Sequence, residues 1–209
     1  IMEHEPSKGQ NVAIIGSGPA GITVAVKLAQ RGYNVTMFEK MDKLGGMMRY
    51  GIPSFRLPLE ILDRYQKKLV ELGIHIRPNT TIGSILTLDT LFADGYDAVF
   101  IGSGVWRPRG LGVRGESLGN CHYAVDYLQN PDVYHLGDHV AVIGSGNSAM
   151  DAARTAIRKG SRFVTVYARR NEVRASIREY EYAQADGVEF VGERQGLQRD
   201  LPAFGVMGE

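Results

Sequence analysis

Two glycine-rich hexapeptides carry the chemistry this sequence offers. The first, "GSGPAG" at residues 16–21, follows the apolar run "NVAII" and opens an amphipathic stretch. Placed between a strand and a helix, Gly16 permits a tight turn and Gly18 lets the backbone approach a pyrophosphate with no side chain between them. Gly21 lets the helix pack close to the strand, with the helix N-terminus facing the phosphates. Glu39 stands 18 positions after Gly21, at the end of the next apolar run. That is near the distance at which a carboxylate accepts the ribose hydroxyls of a bound dinucleotide.

The second hexapeptide, "GSGNSA" at residues 144–149, follows "HVAVI" and lies 128 residues after the first. Gly144 and Gly146 repeat the turn, and Ala149 replaces the third glycine, which still permits close packing. Asn147 and Ser148 are expected to cap the following helix and to offer donors to phosphate. The next strand ends "VYARR", with Arg169 and Arg170 where a carboxylate would serve a bare ribose diol. Two guanidinium groups suit a dianionic 2′-phosphate through forked, charge-assisted hydrogen bonds, which predicts NADP over NAD.

The first site differs downstream. Gly45 and Gly46 precede "MMRYGIPSFRLP", which has no place in a simple dehydrogenase unit. A double glycine there lets a loop cover the diphosphate of a longer, permanently held ligand, and this favours FAD. A further glycine-rich strand end, Gly102, Ser103 and Gly104, offers another close backbone approach.

The elements that must position these residues are readable around them. "NVAIIGSGPAGITVAVKLAQRGYNVTMFEK" reads as strand, turn, helix and strand. A helix is expected over residues 58–72, with Leu59, Leu62, Tyr65 and Leu69 on one face, followed by the strands "IHIRP" and "YDAVFIGSG". Residues 105–138 are rich in Gly, Pro and Arg and read as a connection with one helix near residues 123–128. "HVAVIGSGNSAMDAARTAIRKGSRFVTVYARR" then repeats the opening plan, so the chain contains an internal repeat with two nucleotide sites. A helix over residues 176–185 and the strand "VEFV" follow. The fold class is α/β, with two Rossmann-like βαβ units. The expected domains are an FAD-binding part at 11–136, an NADPH-binding part at 137–192 and an irregular tail at 193–209.

Composition narrows the class. The 24 Lys and Arg balance 23 Asp and Glu, so no global field draws the chain to nucleic acid or an anionic membrane. The charge is uneven, however: residues 151–178 carry eight Lys/Arg against two Asp/Glu. That excess suits a phosphate-rich ligand, or else a solvated helix face. One cysteine, Cys121, allows neither an internal disulfide nor a cluster ligand set. His135 and His139 are four apart, but Gly137 between them argues against a helical metal pair, and no metal site is expected. With no signal-peptide core and no apolar run long enough to span a bilayer, the expected setting is cytoplasmic. No catalytic acid, base or nucleophile is readable, and hydride transfer needs none, because cofactors supply the reactive atoms.

These motifs resemble those of the small, NADPH-oxidising subunit of bacterial glutamate synthase and its relatives, in the adrenodoxin reductase-like branch of the pyridine nucleotide-disulphide oxidoreductases. The resemblance runs from about residue 11 to residue 191, and "GGMMRYGIPSFRLP" and "SGNSAMDAARTAIRKG" followed by "YARR" are its most specific pieces. It implies that Gly16, Gly18, Pro19, Ala20, Gly21, Glu39, Lys40, Gly46 and Arg56 bind or flank FAD. It assigns Asn147, Ser148, Arg169 and Arg170 to NADPH. It further implies that hydride passes from nicotinamide to flavin, with electrons leaving for an iron–sulfur partner subunit or ferredoxin-like carrier. Four positions depart from the family pattern: Gly102 and Ser103 before Gly104, and Val173 and Arg174 before Ala175. The family's C-terminal return to the FAD domain is not found, so the expectation is an incomplete module. The alternative is a catalytically silent nucleotide-binding assembly subunit.

Overall fold

The computed structural model describes residues 5–83, 86–168, 173–192 and 205–208. The chain divides into two compact units, Ile1–Tyr50 with Ser54–Val105, and Gly51–Pro53 with Trp106–Glu209. Residues 106–136, attached to the first domain in the sequence reading, therefore cluster with the second unit.

In the first unit β1 (Asn11–Ile15) leads through α1 (Pro19–Gln30) to β2 (Asn34–Phe38). A short α2 (Met47–Tyr50) and the longer α3 (Leu59–Glu71) precede β3 (His75–Arg77), and α4 (Leu88–Ala93) precedes β4 (Ala98–Ile101). The four strands are all parallel, in the order β3-β2-β1-β4. Alternation along the strands divides the core between the two faces. Ile14, Val35 and Met37 pack with Ala25 and Ala29 of α1 and Leu69 of α3, while Ala13 and Phe38 meet Leu91 of α4. The apolar face of α3 is narrower than its sequence suggests. Leu62 and Leu69, two turns apart, are buried, whereas Leu59 and Tyr65 are exposed.

The second unit begins with β5 (Cys121–Tyr123) and α5 (Ala124–Gln129), followed by a 3-10 turn at Pro131–Val133. Then come β6 (His139–Ile143), α6 (Asn147–Arg158), β7 (Phe163–Tyr167), α7 (Ile177–Ala185), β8 (Glu189–Val191) and β9 (Gly205–Gly208). The sheet order is β5-β9-β6-β7-β8, again all parallel. β9 corrects the expectation of an irregular tail over 193–209. Its four residues are too few to show a period, and its pairing with β5 and β6 is with strands more than 60 residues earlier. α6 is the centre of this unit. Ala149 through Ala156 are all buried, against β6 and β7 on one side and α5 and α7 beside them.

The glycine turn of the first unit leaves no room for side chains at two positions. A Cβ on Gly21 would lie 2.0 Å from the Gly16 carbonyl oxygen, and one on Gly16 would lie 2.4 Å from the Gly102 carbonyl oxygen. Gly18 is different: a Cβ there meets nothing within 4 Å, and its φ of −71° suits any residue. Gly21→Ala should therefore destabilise the fold by roughly 2 kcal/mol or more, while Gly18→Ala should stay within about 0.5 kcal/mol, as read by denaturant unfolding. Met150, fully buried on α6, should cost about 2–5 kcal/mol when replaced by alanine. A shift in the thermal midpoint of the second unit would measure it.

Candidate dinucleotide-binding sites

Both glycine turns close with the same hydrogen bonds. The Gly16 amide donates to the Phe38 carbonyl at the end of β2 (2.8 Å), and the Gly144 amide donates to the Tyr167 carbonyl at the end of β7 (3.0 Å). Gly18 and Gly146 are the N-caps of α1 and α6, both extended, and neither helix has a side-chain cap. By contrast, α4 and α7 are capped by the hydroxyls of Thr87 and Ser176. Helices α1 and α6 thus open with backbone alone, at the C-terminal ends of parallel strands, where such folds present amides to phosphates.

The first site is built around Ser17 and Glu39, both buried. Glu39 Oε2 accepts the Ser17 amide (3.0 Å) and the Ser17 hydroxyl, and Oε1 accepts the Met41 amide (2.8 Å). A carboxylate offers about four acceptor positions, so three of them fix the turn and about one is left for a ribose hydroxyl. Ser17 was not singled out by sequence reasoning, since a serine inside a glycine motif carries no signal of its own. The Gly45 amide also donates to the Ser17 carbonyl (3.1 Å), and a Cβ on Gly46 would lie 2.8 Å from Gly18 Cα. The double glycine thus lies against the turn, and Gly46, at φ 52°, supplies a left-handed conformation there.

Side chains from α2 and α3 hold this covering loop. Arg49 donates through Nε to the Leu44 carbonyl (2.6 Å) and through Nη2 to Asp63 Oδ1 (2.6 Å), with its side chain almost wholly buried. Tyr50 Oη donates to Asp42 Oδ1 (2.5 Å) and accepts the Lys43 amide (3.2 Å). Burial first, and then the bond to Asp42, push the Tyr50 phenol up to about 12, and the same bond holds the Asp42 carboxyl below its usual value. These supports were invisible in the sequence, because each pairs residues whose contact depends on the folded loop.

The other expected residues of the first site fall nearby with different weights. Pro19 and Ala20 form the exposed first turn of α1, Lys40 is exposed and Arg56 is half-buried. Ser103 and Gly104 are exposed beyond β4. Gly102 donates its amide to the Ile15 carbonyl (2.8 Å), and a Cβ on Gly16 would lie 3.2 Å from Ser103 Cα, so both Gly102 and Ser103 border the turn. A cavity of about 700 Å³ in this unit, lined among others by Asn11, Asn34, His75 and Tyr96, opens near the starts of β1 and β2, away from the motif.

In the second unit, the expectation that Asn147 and Ser148 cap α6 is corrected. Gly146 occupies the N-cap, so Asn147 is already the first helical residue, and its Oδ1 accepts the Ser176 amide (3.0 Å). The Ala175 amide donates to the Ser145 carbonyl (2.7 Å), which brings the start of α7 to the glycine turn. Arg169 and Arg170 lie outside the described residues. The cationic excess before them is structural. Arg154 pairs with Glu179 and Asp186, Arg158 with Asp186, Lys159 with Asp132 and Arg162 with Asp138, all acids outside the 151–178 window. Arg174 is exposed and has no ion pair among the described residues. His139 stacks on Phe163 with ring centroids 4.6 Å apart. Among the described residues no group of three His, Cys, Asp or Glu is arranged to hold a metal ion, and no helix is long and apolar enough to cross a membrane.

Comparison with known proteins agrees with this architecture. The chain is 43% identical over 190 residues to the NADP(+)-dependent formate dehydrogenase subunit beta of Moorella thermoacetica, covering 87% of this chain and 27% of that protein. It is 35% identical over 227 residues to the glutamate synthase [NADPH] small chain of Azospirillum brasilense, covering 99% of this chain and 47% of the relative. The chain thus spans less than half the length of these two relatives. Among solved structures, 2-naphthoyl-CoA reductase matches 99% of this chain and 34% of its own at 22% identity, with a TM-score of 0.81. FprA from Mycobacterium tuberculosis in complex with NADPH matches 98% of this chain and 59% of its own at 22% identity, with a TM-score of 0.76. At that identity the likeness is one of fold. Residues 10–196 match the pyridine nucleotide-disulphide oxidoreductase family, and the chain belongs to it.

Proposed function

We propose that this chain forms the nucleotide-binding part of an NADPH-dependent FAD oxidoreductase of the glutamate synthase small-subunit type, working in a cytoplasmic setting. The observation that carries the reading is the pair of matched turns, Gly16 closed on Phe38 and Gly144 closed on Tyr167, each opening a helix that lacks a side-chain cap. The first turn fits FAD: the space at Gly18 admits a diphosphate, the remaining acceptor capacity of Glu39 suits a ribose hydroxyl, and the Gly45–Gly46 loop borders the turn. Pro19, Ala20, Gly21, Lys40, Arg56, Ser103 and Gly104 flank it.

At the second turn, Gly144, Gly146, Asn147 and Ser148 would face the NADPH pyrophosphate, and Arg169 and Arg170 the 2′-phosphate. When bound, the two cofactors supply a hydride donor and an acceptor that can release electrons onward. The protein's own residues bind and orient each dinucleotide; no side chain is required as an acid or base. The relatives named as a small chain and as a beta subunit support a partner chain. An iron–sulfur subunit or ferredoxin-like carrier is the partner we propose, with no role for nucleic acid or membrane.

The purified chain with added FAD should show bound-flavin absorbance that NADPH bleaches under anaerobic conditions far better than NADH. Absence of bound flavin would favour a nucleotide-binding assembly role instead. Arg169→Ala with Arg170→Ala should weaken NADPH binding about 10- to 100-fold, the scale of losing hydrogen bonds to a charged group, and should hardly change NADH. Equal loss for both nucleotides would remove the 2′-phosphate assignment.

A further inference from the structure

One side chain inside the first glycine turn works in two directions. Ser17 is wholly buried, and its hydroxyl accepts the Gly45 amide (3.3 Å) while donating to Glu39 Oε2. A hydroxyl carries a single proton, and here it is committed to the carboxylate. The Ser17 amide donates to the same oxygen (3.0 Å). Each carboxylate oxygen offers about two acceptor positions, so Ser17 alone fills Oε2. Among the described residues Oε1 receives only the Met41 amide (2.8 Å) and keeps one position open.

The rest of this cluster is set by backbone. The Glu39 amide donates to the Arg77 carbonyl (2.9 Å) and its carbonyl accepts the Thr80 amide (2.8 Å), which pins its main chain to β3 and the residues after it. The Met41 carbonyl likewise accepts the Asn79 amide (2.9 Å). What remains adjustable is the carboxylate, and the Ser17 hydroxyl is the side-chain donor upon it. The second turn shows that the motif does not require this arrangement. Ser145 holds the matching place there, but the residue after the closing Tyr167 carbonyl is Ala168, which offers no side-chain acceptor.

We propose that Ser17 is a positioning residue that sets the ribose specificity of the first turn: by filling Oε2 it leaves Glu39 one acceptor, on Oε1, so that the site reads one of the two adenosine ribose hydroxyls of FAD and not the other. Ser17 itself, enclosed between Gly45 and Glu39, does not touch the ligand. The inference rests on the assignment of FAD to the first turn. A residue without a hydroxyl at position 17 returns one acceptor position to Oε2. The carboxylate then takes both ribose hydroxyls, one on each oxygen.

The test titrates the chain with FAD and with two analogues, one lacking the 2′-hydroxyl and one the 3′-hydroxyl of the adenosine ribose, read by calorimetry. Wild-type protein should bind one analogue about tenfold more weakly, the scale of losing a hydrogen bond to a charged group, and the other as it binds FAD. Ser17→Ala should bind both analogues more weakly than FAD, by similar factors. Ser17→Cys replaces a strong donor by a weak one; it should shift the pattern the same way, and serves if the alanine variant melts too low to titrate. The second turn is the same in every variant, so differences that change with residue 17 report the first. A variant that keeps the wild-type ratios, even with all three ligands weakened alike, would reduce Ser17 to a structural role. Wild-type protein that binds FAD yet treats the two analogues alike would overturn the reading of a single hydroxyl while leaving the FAD assignment intact. Wild-type protein that does not bind FAD would overturn that assignment and this inference with it.

Discussion

At the start of α1 one peptide packs directly against another. Gly21 lies so near the Gly16 carbonyl that not even a methyl group fits, and Gly16 in turn lies against the Gly102 peptide. These contacts fix β1, α1 and the end of β4 relative to one another with backbone alone. What gives the turn its surroundings then hangs from it. Ser17 reaches Glu39 at the end of β2, and the Gly45 amide reaches Ser17. A dense backbone junction of this kind is rigid for the same reason that protein interiors are: no neighbour can move without collision.

The second turn repeats the closure in a different setting. Helix α1 buries Gly21, Ala25 and Ala29, a stripe at four-residue spacing flanked by half-buried Ile22, Val24, Val26 and Leu28, and exposes Thr23 and Lys27. Helix α6 buries eight consecutive residues because α5 and α7 flank it while the sheet lies beneath. Enclosure of that kind forces polar residues to find partners. Arg154 does so on α7, and Thr155 donates to the Asp151 carbonyl within its own helix (2.7 Å). The shared motif therefore specifies how each helix begins, while the neighbours of each helix decide the rest of its surface.

The parts of this architecture that the sequence discloses are those set by short-range pattern. The two strand–turn–helix–strand units, α3 and α7 follow from periodicity and glycine placement within windows of about thirty residues. What escaped depends on contacts between distant segments. β9 pairs with strands far upstream, Arg49 finds Asp63 on another helix, and Glu39 is largely engaged by Ser17. The cationic run from Arg154 to Arg162 was legible as charge but not as purpose, because the acids that neutralise it lie at Asp132, Asp138, Glu179 and Asp186. Asn147 shows the same limit at one residue. Its type suits a cap, yet a shift of a single position places it inside the helix and turns its oxygen toward Ser176.

The insertion of β9 between β5 and β6 bears on the order in which the molecule is assembled as it is made. Every strand of the first sheet lies between residues 11 and 101, so that sheet has all its material once the first half of the chain has emerged. The second sheet lacks the strand that joins β5 to β6 until residues 205–208 arrive, and both of those strands offer unpaired edges in the interval. Pairings across so long a stretch form slowly, and open edges attract other chains. Synthesis thus gives the first unit a head start, and the second completes its sheet only when β9 arrives, a stage at which a chaperone would have open edges to protect.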